Sequence, residues 1–159
     1  MKKFIAIMLL GSALFTVGAI YDGIDNQDMT QPTIHFWEKN PMKFNLYAKG
    51  QCTYYVFDRI RQDGNIISNK WGDAKYWAAK ADEEGYTVNN EPSVGAILQY
   101  PKGQYGHVAY IDKVHQDGSL TVFDMNYNKP YEVTKRTVHD NQVDEFNYIH
   151  PKENKNETA

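Results

Sequence analysis

The sequence predicts an α+β domain in which N-terminal helices pack on an antiparallel β-sheet. Two patterns carry this: helical apolar periods between residues 52 and 84, then a run of short β-branched and aromatic segments from residue 94 to 150. Helices followed by strands, rather than alternating with them, argue against a parallel sheet. The 159-residue length suits one domain with a modest core.

Met1–Ala19 reads as a secretory signal: Lys2 and Lys3 give the charged start, Phe4–Ile20 is apolar or small, and Val17-Gly18-Ala19 offers small residues for cleavage. The alternative is an uncleaved anchor, since the run lies at the lower edge for a membrane span. No cysteine lies near the end of the run, which excludes a lipoprotein anchor. Either way the remainder is expected outside the cytoplasm. Residues 20–44 read as a leader or linker whose end packs onto a domain of residues 45–150, and 151–159 as a flexible tail.

Net charge is −3, and the only charged residues that loss of the signal would remove are Lys2 and Lys3. An acidic chain without a Lys/Arg cluster is a poor nucleic-acid binder, so groove contacts rather than bulk charge should hold any target. The chain is expected to act as a monomer.

The first helix should run from Cys52 to about Arg61, with Val56 and Ile60 one turn apart on the buried side, and Asp63-Gly64 ends it. Asp73–Glu84 is the second, with Ala74, Trp77, Ala78 and Ala81 on one face and Gly85 as the stop. The strands should be Val94–Tyr100, His107–Val114, Ser119–Tyr127, Val133–Val138 and Phe146–His150.

Cys52 is the only cysteine, so no intramolecular disulfide can form. At the first turn of a helix, the unpaired N–H groups and the positive end of the dipole favour a thiolate, the nucleophilic form. The bland alternative is a small buried hydrophobe. A nucleophile needs a base within hydrogen-bond reach and a group to orient that base. Of five histidines, His107 stands apart: it opens an apolar strand directly after the Gly103–Gly106 turn, where a side chain can face a cleft. Asp117-Gly118 signals a two-residue hairpin turn pairing Gln116 with Ser119. That register puts His107 on one face with Asp124 and Asn126. Asn128 lies opposite it, Asn126 diagonal to it and Asp124 one step further. Leu120 and Val122 share this face, which suggests that it is covered.

Five segments together resemble CHAP domains, the cysteine, histidine-dependent amidohydrolases/peptidases. They are Gly50-Gln51-Cys52-Thr53-Tyr54-Tyr55-Val56, Trp71-Gly72-Asp73-Ala74-Lys75-Tyr76-Trp77, Pro92-Ser93-Val94-Gly95-Ala96-Ile97, Tyr105-Gly106-His107-Val108-Ala109-Tyr110 and Asp124-Met125-Asn126-Tyr127. Within that family the chain is most similar to staphylococcal secretory antigen-like proteins, through Tyr86-Thr87-Val88-Asn89-Asn90 and Phe146-Asn147-Tyr148-Ile149-His150. The resemblance implies a papain-like, NlpC/P60-type fold that hydrolyses an amide bond in peptidoglycan, either at the lactyl–stem junction or within the stem or cross-bridge. It makes Cys52 the nucleophile, His107 the base and then the acid, Asp124 the acidic position and Asn126 the family's asparagine. That acidic position is usually glutamate, one methylene longer; together with the hairpin register this makes Asn126 at least as good a candidate for orienting His107. The Cys52 N–H should donate to the oxyanion, with Gln51 or Asn45 adding a side-chain amide. Tyr54 (usually tryptophan in the family), Trp71, Tyr105 and Tyr127 are candidates for a substrate groove, whereas Trp77 reads as core. Some members carry a calcium loop of aspartates before the cysteine; Met42–Gln51 has no acidic residue, so neither metal nor cofactor is expected. A competing reading is a weak or inactive wall-binding module, and a third is a protease acting on proteins.

Overall fold

The computed structural model describes residues 40–155, so the expectations for the signal segment and most of the leader fall outside the described residues. After a 3-10 turn at Pro41–Lys43, the chain forms α1 (Cys52–Gln62), β1 (Asn65–Ile66), a 3-10 turn at Ala74–Tyr76 and α2 (Trp77–Glu83). There follow β2 (Thr87–Asn89), β3 (Ile97–Tyr100), β4 (His107–Val114), β5 (Leu120–Met125) and β6 (Val133–Val138). A 3-10 segment (Asp140–Glu145), β7 (Asn147–His150) and β8 (Lys152–Glu153) end the described chain. The α+β class and the antiparallel sheet are as expected. Six strands pair in the order β2-β7-β3-β4-β5-β6, and β1 pairs with β8. The polar segment from residue 151 is therefore not wholly frayed, because its first residues are tied into the β1–β8 ribbon.

The core lies on both faces of the sheet. One face packs Val56, Phe57 and Ile60 of α1, Trp77 and Ala81 of α2, and Trp71 against Ile97, Val108, Tyr110 and Ile149. The other packs Leu98, Ala109, Ile111, Leu120, Val122, Val138 and Tyr148. Coverage on both sides explains why β3 and β4 read as nearly continuous apolar runs rather than alternating ones. Met42 is 1 % exposed, and its sulfur accepts the Ile67 N–H at 3.2 Å, so packed structure begins before residue 45.

The expected helix over Asp73–Glu84 starts as a 3-10 turn. The Gln99 Nε2 donates to the Ala74 and Lys75 carbonyls at 2.9 and 3.1 Å, and the Lys75 N–H donates to Tyr105 O at 2.8 Å. The Gln99 amide engages carbonyls that an α-turn would use, and the Lys75 bond satisfies an otherwise unpaired N–H while fastening the turn to the loop that delivers His107. Gly106 sits where that loop crosses the turn, at φ 71°, and a Cβ there would lie 2.5 Å from Lys75 N. Gly106→Ala should cost about 2–4 kcal/mol, combining the left-handed backbone with a backbone clash. A urea titration read by tryptophan fluorescence checks this; an unchanged midpoint contradicts the close docking.

The β4–β5 connection departs from expectation, and the departure positions the site. His115 rather than Gln116 pairs with Ser119: the His115 N–H donates to Ser119 O at 2.9 Å and the Gly118 N–H to His115 O at 3.0 Å. This is a three-residue turn with Gly118 at φ 84°, tightened by Asp117 Oδ1, which accepts from Ser119 N and Oγ at 3.0 and 2.7 Å. A bulge between Ile111 and Lys113 then shifts the register once more, so that Tyr110 faces Phe123. The two displacements add. They slide β5 two residues along β4, which preserves the faces and makes Asp124, not Asn126, the diagonal neighbour of His107.

Candidate active site

Cys52 is the first residue of α1 and is 8 % exposed. The chain reverses into it through Gly50, at φ 82°, with the Gln51 N–H donating to Ala48 O at 3.3 Å. Tyr131 lies so close over Gly50 that a Cβ would come within 2.7 Å of its ring, and its N–H donates to Gly50 O at 3.1 Å. Glycine is thus required twice here, by conformation and by contact. Gln51, extended at the N-cap, makes no side-chain cap bond. The first N–H groups of α1 consequently stay available beside the thiol.

His107 opens β4, and its Nε2 lies 3.0 Å from Asp124 Oδ2. Cys52 lines the same cavity as His107, and its sulfur contributes to the electrostatic pull on the ring. With Nε2 engaged by the carboxylate, Nδ1 is the nitrogen left to face sulfur. Asp124 is fully buried. Its Oδ2 additionally accepts from Arg136 Nε and Nη2 at 2.9 and 2.6 Å, and its Oδ1 accepts from the Thr134 hydroxyl. Both donors come from β6, where Thr134 is the direct cross-strand partner of Asp124 and Arg136 pairs with Val122 on the same face.

Burial alone would push the Asp124 carboxyl up. The hydrogen bonds from His107, Arg136 and Thr134 overcome it and hold the group below its ordinary range, ionised. Burial likewise opposes charge on His107, but the hydrogen bond to Asp124 and the electrostatic pull of Asp124 and Cys52 prevail, raising the imidazole to about 9.

A cavity of about 710 Å³ opens beside Cys52 and His107, and its lining also includes Gln51, Asn126 and Tyr105. The Asn126 Nδ2 donates to Gln51 Oε1 at 2.7 Å, and Asn126 holds φ 57°. Its amide therefore orients Gln51, and the ring of His107 takes Asp124 as its partner. With its oxygen engaged, Gln51 keeps its amide N–H groups for donation. Tyr105 is 60 % exposed on the cavity wall, and Tyr127 sets its ring against His107 with centroids 5.7 Å apart.

Three expectations require correction. Asn45 does not join the cavity lining: its Nδ2 donates to Tyr54 O at 2.9 Å and Asp58 Oδ1 at 3.0 Å, and its Oδ1 accepts from Tyr47 N at 3.1 Å. It braces α1 and has no amide N–H left for an oxyanion. Trp71 is 1 % exposed, edge-on to Trp77 and Tyr86, and belongs to the core. Tyr54 lines neither this cavity nor the smaller one beyond His107. Trp77 is buried as expected, its indole N–H donating to Gly72 O at 3.0 Å. The reading from sequence missed Thr134 and Arg136. Every position from Val133 to Val138 is β-branched or charged, with no apolar stripe to say which residues face inward.

A family model described as the CHAP domain matches residues 42–126. A probable autolysin, SsaALP, of Staphylococcus aureus is 52 % identical over 107 residues, covering 67 % of this chain and 40 % of that protein. Staphylococcal secretory antigen SsaA of Staphylococcus epidermidis matches with the same identity, length and coverage. The chain thus spans about 40 % of the length of these curated relatives. Among solved structures, an N-acetylmuramoyl-L-alanine amidase from Staphylococcus aureus superposes with a TM-score of 0.62 at 36 % identity, over 65 % of this chain and 30 % of that one. Sequence, fold and relatives agree: the chain belongs to the CHAP domain family.

Proposed function

We propose that this domain hydrolyses an amide bond of peptidoglycan through a cysteine acyl-enzyme, outside the cytoplasm. The observation that carries the reading is that Cys52 and His107 line one open cavity while the buried Asp124 carboxylate holds the histidine ring from behind. The family and the relatives described as an autolysin and an amidase supply the substrate class.

In this mechanism Cys52 Sγ, as thiolate, attacks the substrate carbonyl carbon. The oxyanion receives hydrogen bonds from the Cys52 backbone N–H and the Gln51 side-chain amide. His107, protonated at Nδ1, gives its proton to the departing nitrogen as the C–N bond breaks, leaving a thioester. Water then attacks the thioester carbonyl while His107 takes its proton; the carboxylate departs and the thiolate is restored. Asp124 holds the imidazole through Nε2 and stabilises its charge without itself taking a proton. Tyr105 and Tyr127 flank the path of the substrate.

Mass spectrometry of products from purified peptidoglycan tests the reading and assigns the bond. A new N-terminal alanine amine indicates cleavage at the lactyl–stem junction, and a new amine within the stem or bridge indicates an endopeptidase. Absence of any new amine overturns the proposal in favour of a wall-binding module.

A further inference from the structure

Asp124 meets His107 on one side and a second charged residue on the other. Arg136 approaches Oδ2 through two nitrogens, and its side chain is only 22 % exposed. The flat of the same guanidinium lies 3.8 Å from the centroid of Tyr127, whose edge meets His107. The four groups close a ring: His107 to Asp124, Asp124 to Arg136, Arg136 to Tyr127, and Tyr127 back to His107. An inward-pointing charge on an edge strand can also serve simply to discourage pairing with another sheet. That role would be met by any cation in solvent reach and does not call for a two-nitrogen grip on a buried carboxylate.

Asp124 is a short side chain for its task, reaching His107 from a diagonal rather than a facing position. A carboxylate in that place has torsional freedom unless other donors fix it. Thr134 and Arg136 do so from β6. We propose, building on the hydrolase reading above, that Arg136 is a positioning residue for the reaction. Its fork fixes the Asp124 carboxylate against His107, its charge balances that carboxylate, and its face seats Tyr127 against the histidine ring.

The charge balance has a sign. Asp124 on β5 and Cys52 on α1 act on His107, the Tyr127 ring lies against it, Arg136 on β6 shares the smaller cavity with it, and Tyr55 of α1 also feels Asp124. Glu145, after β6, shares the smaller cavity with Arg136. Arg136 is the cation that shares Asp124 Oδ2 with the imidazole. Removing it leaves the carboxylate's whole attraction to the imidazolium and removes a repulsion from it. His107 should then hold its proton to higher pH.

The test follows His107 by NMR titration in wild type, Arg136→Met and Arg136→Lys, alongside the pH profile of peptidoglycan hydrolysis. In wild type the descending limb should lie near pH 9, where the imidazolium that protonates the leaving nitrogen is lost. Arg136→Met should raise the His107 midpoint and that limb by about one pH unit and lower the rate by about 10²-fold through loosened geometry. Arg136→Lys keeps the charge without the planar fork: its midpoint should stay near wild type while the rate falls by about tenfold. A His107 midpoint that is the same in wild type and Arg136→Met overturns the proposal. So does a methionine variant as active as wild type. Titration needs no turnover, so a wild type that hydrolyses nothing would refute the proposed activity while the NMR midpoints still decide the hold of Arg136 on the pair. The lysine variant retains the buried counter-charge, which keeps the test open if the methionine variant fails to fold.

Discussion

Cys52→Ala is expected to abolish clearing of peptidoglycan in a zymogram, with a rate loss of about 10⁴-fold or more. Removing the nucleophile of a covalent mechanism removes the reaction path itself, and the oxyanion donors alone recover little. The stability cost should be small, about 1 kcal/mol, since only the sulfur is deleted from a site that also opens on the cavity. The variant therefore remains a folded control, and near-unchanged thermal unfolding should accompany the lost activity. Clearing that persists in Cys52→Ala would sink the nucleophile assignment. If the wild type does not clear either, sedimentation of both proteins with insoluble peptidoglycan becomes the deciding measurement, and co-sedimentation would favour the wall-binding reading.

The second large effect is expected at Asp124. Asp124→Asn keeps the shape but loses the charge that stabilises the imidazolium, and with its amide oxygen in the place of Oδ2 its NH₂ can no longer accept from the Thr134 hydroxyl. Activity should fall by about 10³–10⁴-fold, the range seen when the orienting carboxylate of a triad is made neutral. Asp124→Ala should also destabilise the fold by about 3–5 kcal/mol, because it leaves the Arg136 charge poorly compensated next to the core. Asn126→Ala should cost far less, about tenfold, through a freed Gln51 amide and the strain of a left-handed alanine. Comparing initial rates of the three variants gives the ordering. Were Asn126→Ala the more damaging, the asparagine rather than the carboxylate would be the group that orients His107. Equal full activity in all would remove this strand from the mechanism.

Much of the site is legible in the sequence. Cys52 stands out because a glycine-led reversal into a helix start is a local event, written in adjacent residues. His107 stands out because a glycine turn followed by an apolar strand is equally local. The shared face of His107, Asp124 and Asn126 also follows from the sequence, since strand parity survives a slide by two residues. The buried neighbours Leu120 and Val122 confirm that this face is covered.

What could not be read was distance along the face. Asp117-Gly118 looks like a two-residue turn, but Asp117 caps Ser119 and the chain forms a three-residue turn. The bulge at Asp112 then adds its own displacement, and nothing in the local pattern announces it. Asn45 and Trp71 carried the right chemistry for an oxyanion donor and a groove wall. Tertiary packing assigned one to bracing α1 and the other to the core.

By itself, then, the sequence determined the α+β class, the thiol at a helix start, the histidine at a strand start and the polar pair on its face. Each rests on periodicity or turn chemistry within a few residues. Only the tertiary structure decided that Asp124 is the partner of His107, that Asn126 serves Gln51, and that Arg136 and Thr134 hold the carboxylate. Those outcomes depend on register summed over a turn and a bulge, and on side chains from three strands meeting in one place. Contacts of that kind join residues far apart in the chain, and no local pattern encodes them.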